Sequence, residues 1–98
     1  MSLSGTTWSV IGDSNVDKWT MTFNNDGTVT ISGGGPIGYY AESNGDFIIQ
    51  EPKTTANPNI GTVWSGSYVN AVGHGLIQTY PGTAQNYTAI TNFYMTKQ

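Results

Sequence analysis

The sequence predicts an all-β chain folded as a small antiparallel up-and-down barrel of about eight strands, with a two-sheet β-sandwich as the alternative. Three observations carry this prediction. Apolar and polar residues alternate with period two over short segments, most clearly where Trp19, Met21 and Phe23 interleave with Lys18, Thr20 and Thr22. Turn clusters of Gly, Asn, Asp and Pro recur about every 8–12 residues, the spacing of a sandwich or barrel. Strong helix formers are scarce: leucine occurs only at Leu3 and Leu76, and glutamate only at Glu42 and Glu51. Glycines also interrupt nearly every window long enough for a helix, each costing ~1 kcal/mol relative to alanine.

Thr6 to Ile11 reads as the opening strand, closed by Gly12-Asp13-Ser14-Asn15. Lys18 to Phe23 and Thr28 to Ile31 form a hairpin across Asn24-Asn25-Asp26-Gly27, because Asn, Asp and Gly tolerate the positive φ of a tight turn. Gly33-Gly34-Gly35-Pro36 parts this hairpin from a strand over Ile37 to Ala41, and Ser43-Asn44-Gly45-Asp46 turns the chain into Phe47 to Glu51. Pro52 to Asn59, with two prolines, is the longest loop. Strands over Ile60 to Val69, Val72 to Tyr80 and Asn86 to Thr96 complete the series, parted by Asn70-Ala71 and by Pro81-Gly82-Thr83. Every link is short enough for antiparallel neighbours, and closure would remove exposed sheet edges. Gly61, Gly66, Gly73 and Gly75 suit bends or bulges at a barrel corner.

With 98 residues the chain reads as one domain, since a division would leave pieces too small to bury a core. No cysteine is present, so disulfides and thiolate metal sites are excluded. Charged residues make up 9 % and aromatics 12 %, which points to a folded chain with an uncharged polar surface rather than to disorder. Net charge is −3 and arginine is absent. Three scattered lysines do not make the basic footprint that nucleic acid requires, so no nucleic-acid partner is expected. No apolar run approaches the roughly 20 residues of a membrane span, and no export-type apolar segment precedes Thr6. A surface of Thr, Ser, Asn and Gly leans toward an extracellular, periplasmic or virion-associated setting.

The segment Leu3-Ser4-Gly5-Thr6-Thr7-Trp8, then Trp19-Thr20-Met21-Thr22-Phe23 and Asp26-Gly27-Thr28-Val29, resembles the start of small calycin-like barrels: lipocalins, avidins, and bacterial META and lipocalin-like domains. The closing Asn92-Phe93-Tyr94-Met95-Thr96-Lys97 is similar to a final calycin strand. The resemblance covers mainly residues 3–31. Two residues separate Gly5 from Trp8, closer to the META-like pattern than to lipocalins proper, and the late-strand arginine of lipocalins is missing. It implies the barrel and a general tendency to bind small ligands, and it implies no catalytic residue.

The aromatics are the most suggestive set for binding, because they combine a large face with a polar tip. Trp8 and Trp19 fall on inward faces and read as core, with Trp8 closing one end of the barrel. Trp64, Tyr68 and Tyr80 flank glycines and loop starts, where binding residues concentrate. His74, the only histidine, can orient a ligand but has no second imidazole or thiol with which to hold zinc, so no metal is expected. The carboxylates lie in turns or at strand ends, with Asp26 and Asp46 assigned to turn hydrogen bonds. No calcium-loop pattern, phosphate cradle or nucleophile elbow is present, and no cofactor is implied. Asn86-Tyr87-Thr88 matches a glycosylation sequon.

The resulting expectation is a non-catalytic binding domain, with Trp64, Tyr68, His74 and Tyr80 holding a small apolar or aromatic ligand at a barrel mouth. The alternative is a structural or assembly protein, a virion or surface component acting as a homo-oligomer through a tyrosine-rich contact surface. An enzyme using His74 and one carboxylate is the third reading, and it requires the two within hydrogen-bond reach inside a cavity.

Overall fold

A computed structural model describes residues 2–13, 18–32, 35–51, 60–81 and 89–98; at 60, 80, 81, 89 and 90 only the backbone is described. Eight strands run in chain order: β1 (Thr6–Gly12), β2 (Lys18–Phe23), β3 (Thr28–Ile31), β4 (Pro36–Ser43), β5 (Asp46–Glu51), β6 (Ile60–Val69), β7 (Val72–Pro81) and β8 (Ala89–Lys97). Each pairs antiparallel with the next, and β8 returns to β1 with Val10 opposite Met95, so the sheet closes into a barrel. That pairing removes the sandwich alternative. The segments 14–17, 33–34, 52–59 and 82–88 lie outside the described residues, and with them the longest loop, part of three turns, the sequon and the start assigned to the last strand.

Turn chemistry sets the hairpins. Asn44 and Gly45 both take positive φ, 53° and 88°, as a two-residue link between antiparallel strands favours. In the β2–β3 link the Asp26 carboxylate accepts from Thr28 N at 3.0 Å and Thr28 Oγ1 at 2.6 Å, the turn role expected of it. Those bonds hold Asp26 below its ordinary pKa. Asp46 instead accepts across the sheet from Ser67 Oγ at 2.7 Å.

Strict alternation then fills the interior. Trp8 and Val10 of β1, Met21 and Phe23 of β2, Val29 of β3, Phe47 and Ile49 of β5, Trp64 and Tyr68 of β6, and Phe93 and Met95 of β8 form one buried core with Leu3. The inward glycines of β6 and β7 are part of that packing. Gly66 stands opposite Gly75, and the β6–β7 register runs unbroken from Ile60 to Val69, so these residues mark no bulge. A Cβ on Gly66 would lie 2.8 Å from Phe47 Cζ, and one on Gly75 2.8 Å from Phe93 Cζ. The missing side chains are the space the two rings occupy. A register shift falls elsewhere, between Val29 and Thr30 against β4.

Candidate functional site

An up-and-down barrel has two ends, and alternation along each strand delivers one inward residue to each level. At one end the inward positions are closed. Leu3 and Trp8 have no exposed surface. Trp8 packs edge-on against Tyr68, with ring centroids 6.0 Å apart, and its Nε1 donates to Thr6 Oγ1 at 2.8 Å. Glu42 of β4 accepts from Tyr68 Oη at 2.6 Å, Leu3 N at 2.9 Å and Ser2 Oγ at 3.0 Å, fastening the entering chain across the barrel. Desolvation raises the pKa of Glu42, but these hydrogen bonds outweigh it and hold the group below its ordinary value of 4.5. Burial, with the bond to Glu42 and its charge, pushes Tyr68 up to about 12. A depression of about 590 Å³ at this end is walled by the turn residues Asn44, Gly45 and Asn70 together with Ser2, Glu42, Ser43, Tyr68 and Val69.

Among the described residues the opposite end carries no such closure. A cavity of about 470 Å³ is lined by Trp19 of β2, Ile31 of β3, Ile37 of β4 and Glu51 of β5, then by Thr62 and Trp64 of β6, Ile77 and Thr79 of β7, and Thr91 of β8. All but one are inward residues that continue a core row toward this rim, Trp19 after Met21 and Phe23 and Glu51 after Phe47 and Ile49; Ile37 is out of step with Gly38 and Tyr40, where the register of β4 against β3 shifts. Trp64, 3 % exposed, forms the floor, edge-on to half-buried Trp19 at 5.7 Å and tilted over Phe93 at 5.2 Å. Its Nε1 donates to Glu51 Oε2 at 2.5 Å. That single bond lowers the Glu51 pKa less than desolvation raises it, so this carboxyl titrates above its ordinary value of 4.5. Apolar walls, an aromatic floor, threonine hydroxyls and one carboxylate are the ingredients of a small-molecule site.

The four expected site residues do not converge. Trp64 is at the mouth. Tyr68 is four positions along the same inward row, about 13 Å away at strand rise, and belongs to the closed end. Gly73 and Gly75 face inward, so His74 between them faces out. It lines a groove of about 220 Å³ with Ser67, Val69, Val72 and Tyr94 on the outer wall. The imidazole therefore does not reach the mouth, and the His74–carboxylate couple of the enzymatic reading has no cavity to act in among the described residues. The side chain of Tyr80 lies outside the described residues. Trp19, read as core, is instead a half-buried wall of the mouth, and Glu51, read as a strand-end acid, is its carboxylate. Parity was the available signal for both, since Phe47, Ile49 and Glu51 share one face.

Among the described residues no group of three or more His, Asp and Glu is placed to hold a metal ion, and no helix is long and apolar enough to cross a membrane. The chain matches no known protein family, no curated protein and no solved structure, so its function has to be argued from the geometry of this mouth.

Proposed function

We propose that the protein is a non-catalytic binding domain that takes one small apolar or aromatic ligand into the open mouth of its barrel. The carrying observation is the asymmetry of the described interior: one buried core cluster runs from Leu3 to Phe93, whereas above Trp64 the described residues line a cavity of about 470 Å³ with apolar walls. That volume is within the roughly 300–1,000 Å³ of small-ligand sites. Apolar contact with Trp19, Ile31, Ile37 and Ile77 supplies affinity, and Thr62, Thr79, Thr91 and Glu51 orient polar groups of the ligand. The calycin-like look of residues 3–31 points the same way. Titration of a panel of lipids, aromatics and sugars, followed by tryptophan emission, tests the reading, because Trp19 and Trp64 report directly on the mouth. A saturable change is expected for at least one apolar or aromatic member, lost when Thr91→Trp fills the cavity. Unchanged emission across the panel overturns it.

One observation favours the alternative of self-assembly. Val69, Val72 and Tyr94 are 70 %, 58 % and 55 % exposed on the outer wall around His74. An apolar group of this kind suits contact with a second copy of the chain. Light scattering decides it: a dimer dispersed by Val72→Lys supports assembly, and a monomer at all concentrations removes it.

A further inference from the structure

Resting on the mouth as a binding site, we infer that its ligand class is the small organic cation: a protonated amine on an apolar or aromatic body, with the ammonium at Glu51 and the body against Trp19. The inference starts from what faces Glu51. Its carboxylate is half-buried and is held by Trp64 Nε1 at Oε2. Around the cavity, β2, β3, β4, β6, β7 and β8 contribute Trp, Ile and Thr only, so Glu51 is the one ionisable group among the described lining residues. Lys18, beside Trp19 on β2, alternates to the outer face and is exposed. Lys97 pairs with Trp8 on β1, at the closed end, and Lys53, two residues beyond Glu51, lies outside the described residues. Asp13, just beyond β1 at the open end, accepts from Asn92 Nδ2 at 3.0 Å and adds negative charge on the outside.

A carboxylate drawn out of water that faces no cation among the described residues lacks a charge partner there. Its displaced pKa has the same cause, desolvation. A bound ammonium offsets that cost, whereas a neutral ligand leaves it and an anionic ligand adds repulsion. Trp64 contributes by position: its N–H holds Glu51 Oε2, which restrains the carboxylate at the cavity wall. Trp19, half-buried at the wall, supplies the aromatic face on which a cation or an aromatic body rests favourably.

A matched trio separates this ligand class from the binding reading beneath it: 3-phenylpropylamine, 3-phenylpropanol and 3-phenylpropanoate, titrated against the full chain at pH 7 by calorimetry and tryptophan emission. The amine is expected to bind about ten-fold more tightly than the alcohol, the fold-change of one charge-assisted hydrogen bond, with the carboxylate weakest. Glu51→Gln should bring amine and alcohol to equal affinity. Because that variant must be folded to count, circular dichroism accompanies it, and the unmodified protein gives a second readout. The preference for amine should shrink as pH falls through the Glu51 titration, while the alcohol is unaffected. Equal affinity of amine and alcohol for the unmodified protein overturns the cationic class and leaves the mouth a neutral-ligand site. Absence of binding by all three, with the wider panel also silent, overturns both.

Discussion

The two ends of the barrel use the same kinds of residue for opposite purposes. Each has a buried tryptophan on an inward row, an aromatic neighbour set edge-on to it, and a glutamate in hydrogen-bond contact with an aromatic donor. At the closed end Glu42 accepts three described hydrogen bonds, from Ser2, Leu3 and Tyr68, and its carboxylate is stabilised in the fold. At the open end the described residues give Glu51 one, from Trp64, and desolvation disfavours its carboxylate. The difference comes from what completes each end. The entering chain brings Leu3 to one end as a plug with its own N–H to donate, while at the other the described lining adds only hydroxyls and hydrocarbon. Glu42 rivets structure, and under the proposed function Glu51 is where a ligand would engage.

The sharpest way to break this contrast is through the tryptophans. Trp8→Ala removes a fully buried indole and should cost about 4 kcal/mol of unfolding free energy, whereas Trp19→Ala, at an existing cavity, should cost about 1 kcal/mol. Urea denaturation of both variants checks the difference, and equal losses would show that the mouth is as structural as the plug.

Next in size is the packing between the ends. Gly75→Ala puts a methyl 2.1 Å from Ser65 O and 2.6 Å from Gly66 Cα, both backbone atoms that cannot swing aside. A loss of about 3 kcal/mol is expected. A near-neutral result would mean the β6–β7 wall yields, and the interior below the mouth is then looser than its packing implies.

Smaller, and opposite in sign, are the glutamates. Glu42→Gln should destabilise by about 1 kcal/mol through weakened charge-assisted bonds, and Glu51→Gln should be neutral or slightly stabilising. The pH dependence follows the same signs. The folded pKa of Glu42 is lowered, so its stabilisation is complete above 4.5 and fades as pH falls through the folded value. The folded pKa of Glu51 is raised, so its ionisation costs stability as pH rises from 4.5 through the folded value. Tyr68 is raised as well, from 10.0 to about 12, so the closed end should also loosen in alkali as pH climbs through that window. Thermal melts across pH on the two glutamate variants separate these contributions. Identical pH profiles for both variants would erase the distinction between the ends.

The strands were legible because alternation is a local property. Trp19-Met21-Phe23 and Phe47-Ile49 show their buried face without reference to any partner, and Asn44-Gly45 announces its hairpin through backbone conformation alone. The site was legible only in part. Trp64 was found by its aromatic chemistry, but Tyr68 and His74 were grouped with it by proximity in sequence, which in an extended strand is a poor guide to proximity in space. Two residues of travel reverse no face yet shift the level by nearly 7 Å, and one residue reverses the face altogether.

By itself, then, the sequence determined the eight alternating segments, the positions of their turns and the identity of the core rows. The closing pair of β1 with β8 was decided only by the tertiary structure, because it joins strands from opposite ends of the chain. So was the choice of which end is sealed. That depends on Leu3 crossing to Glu42 and on Glu51 finding no counterpart among the described residues that line the mouth, both outcomes of long-range placement that no local pattern encodes.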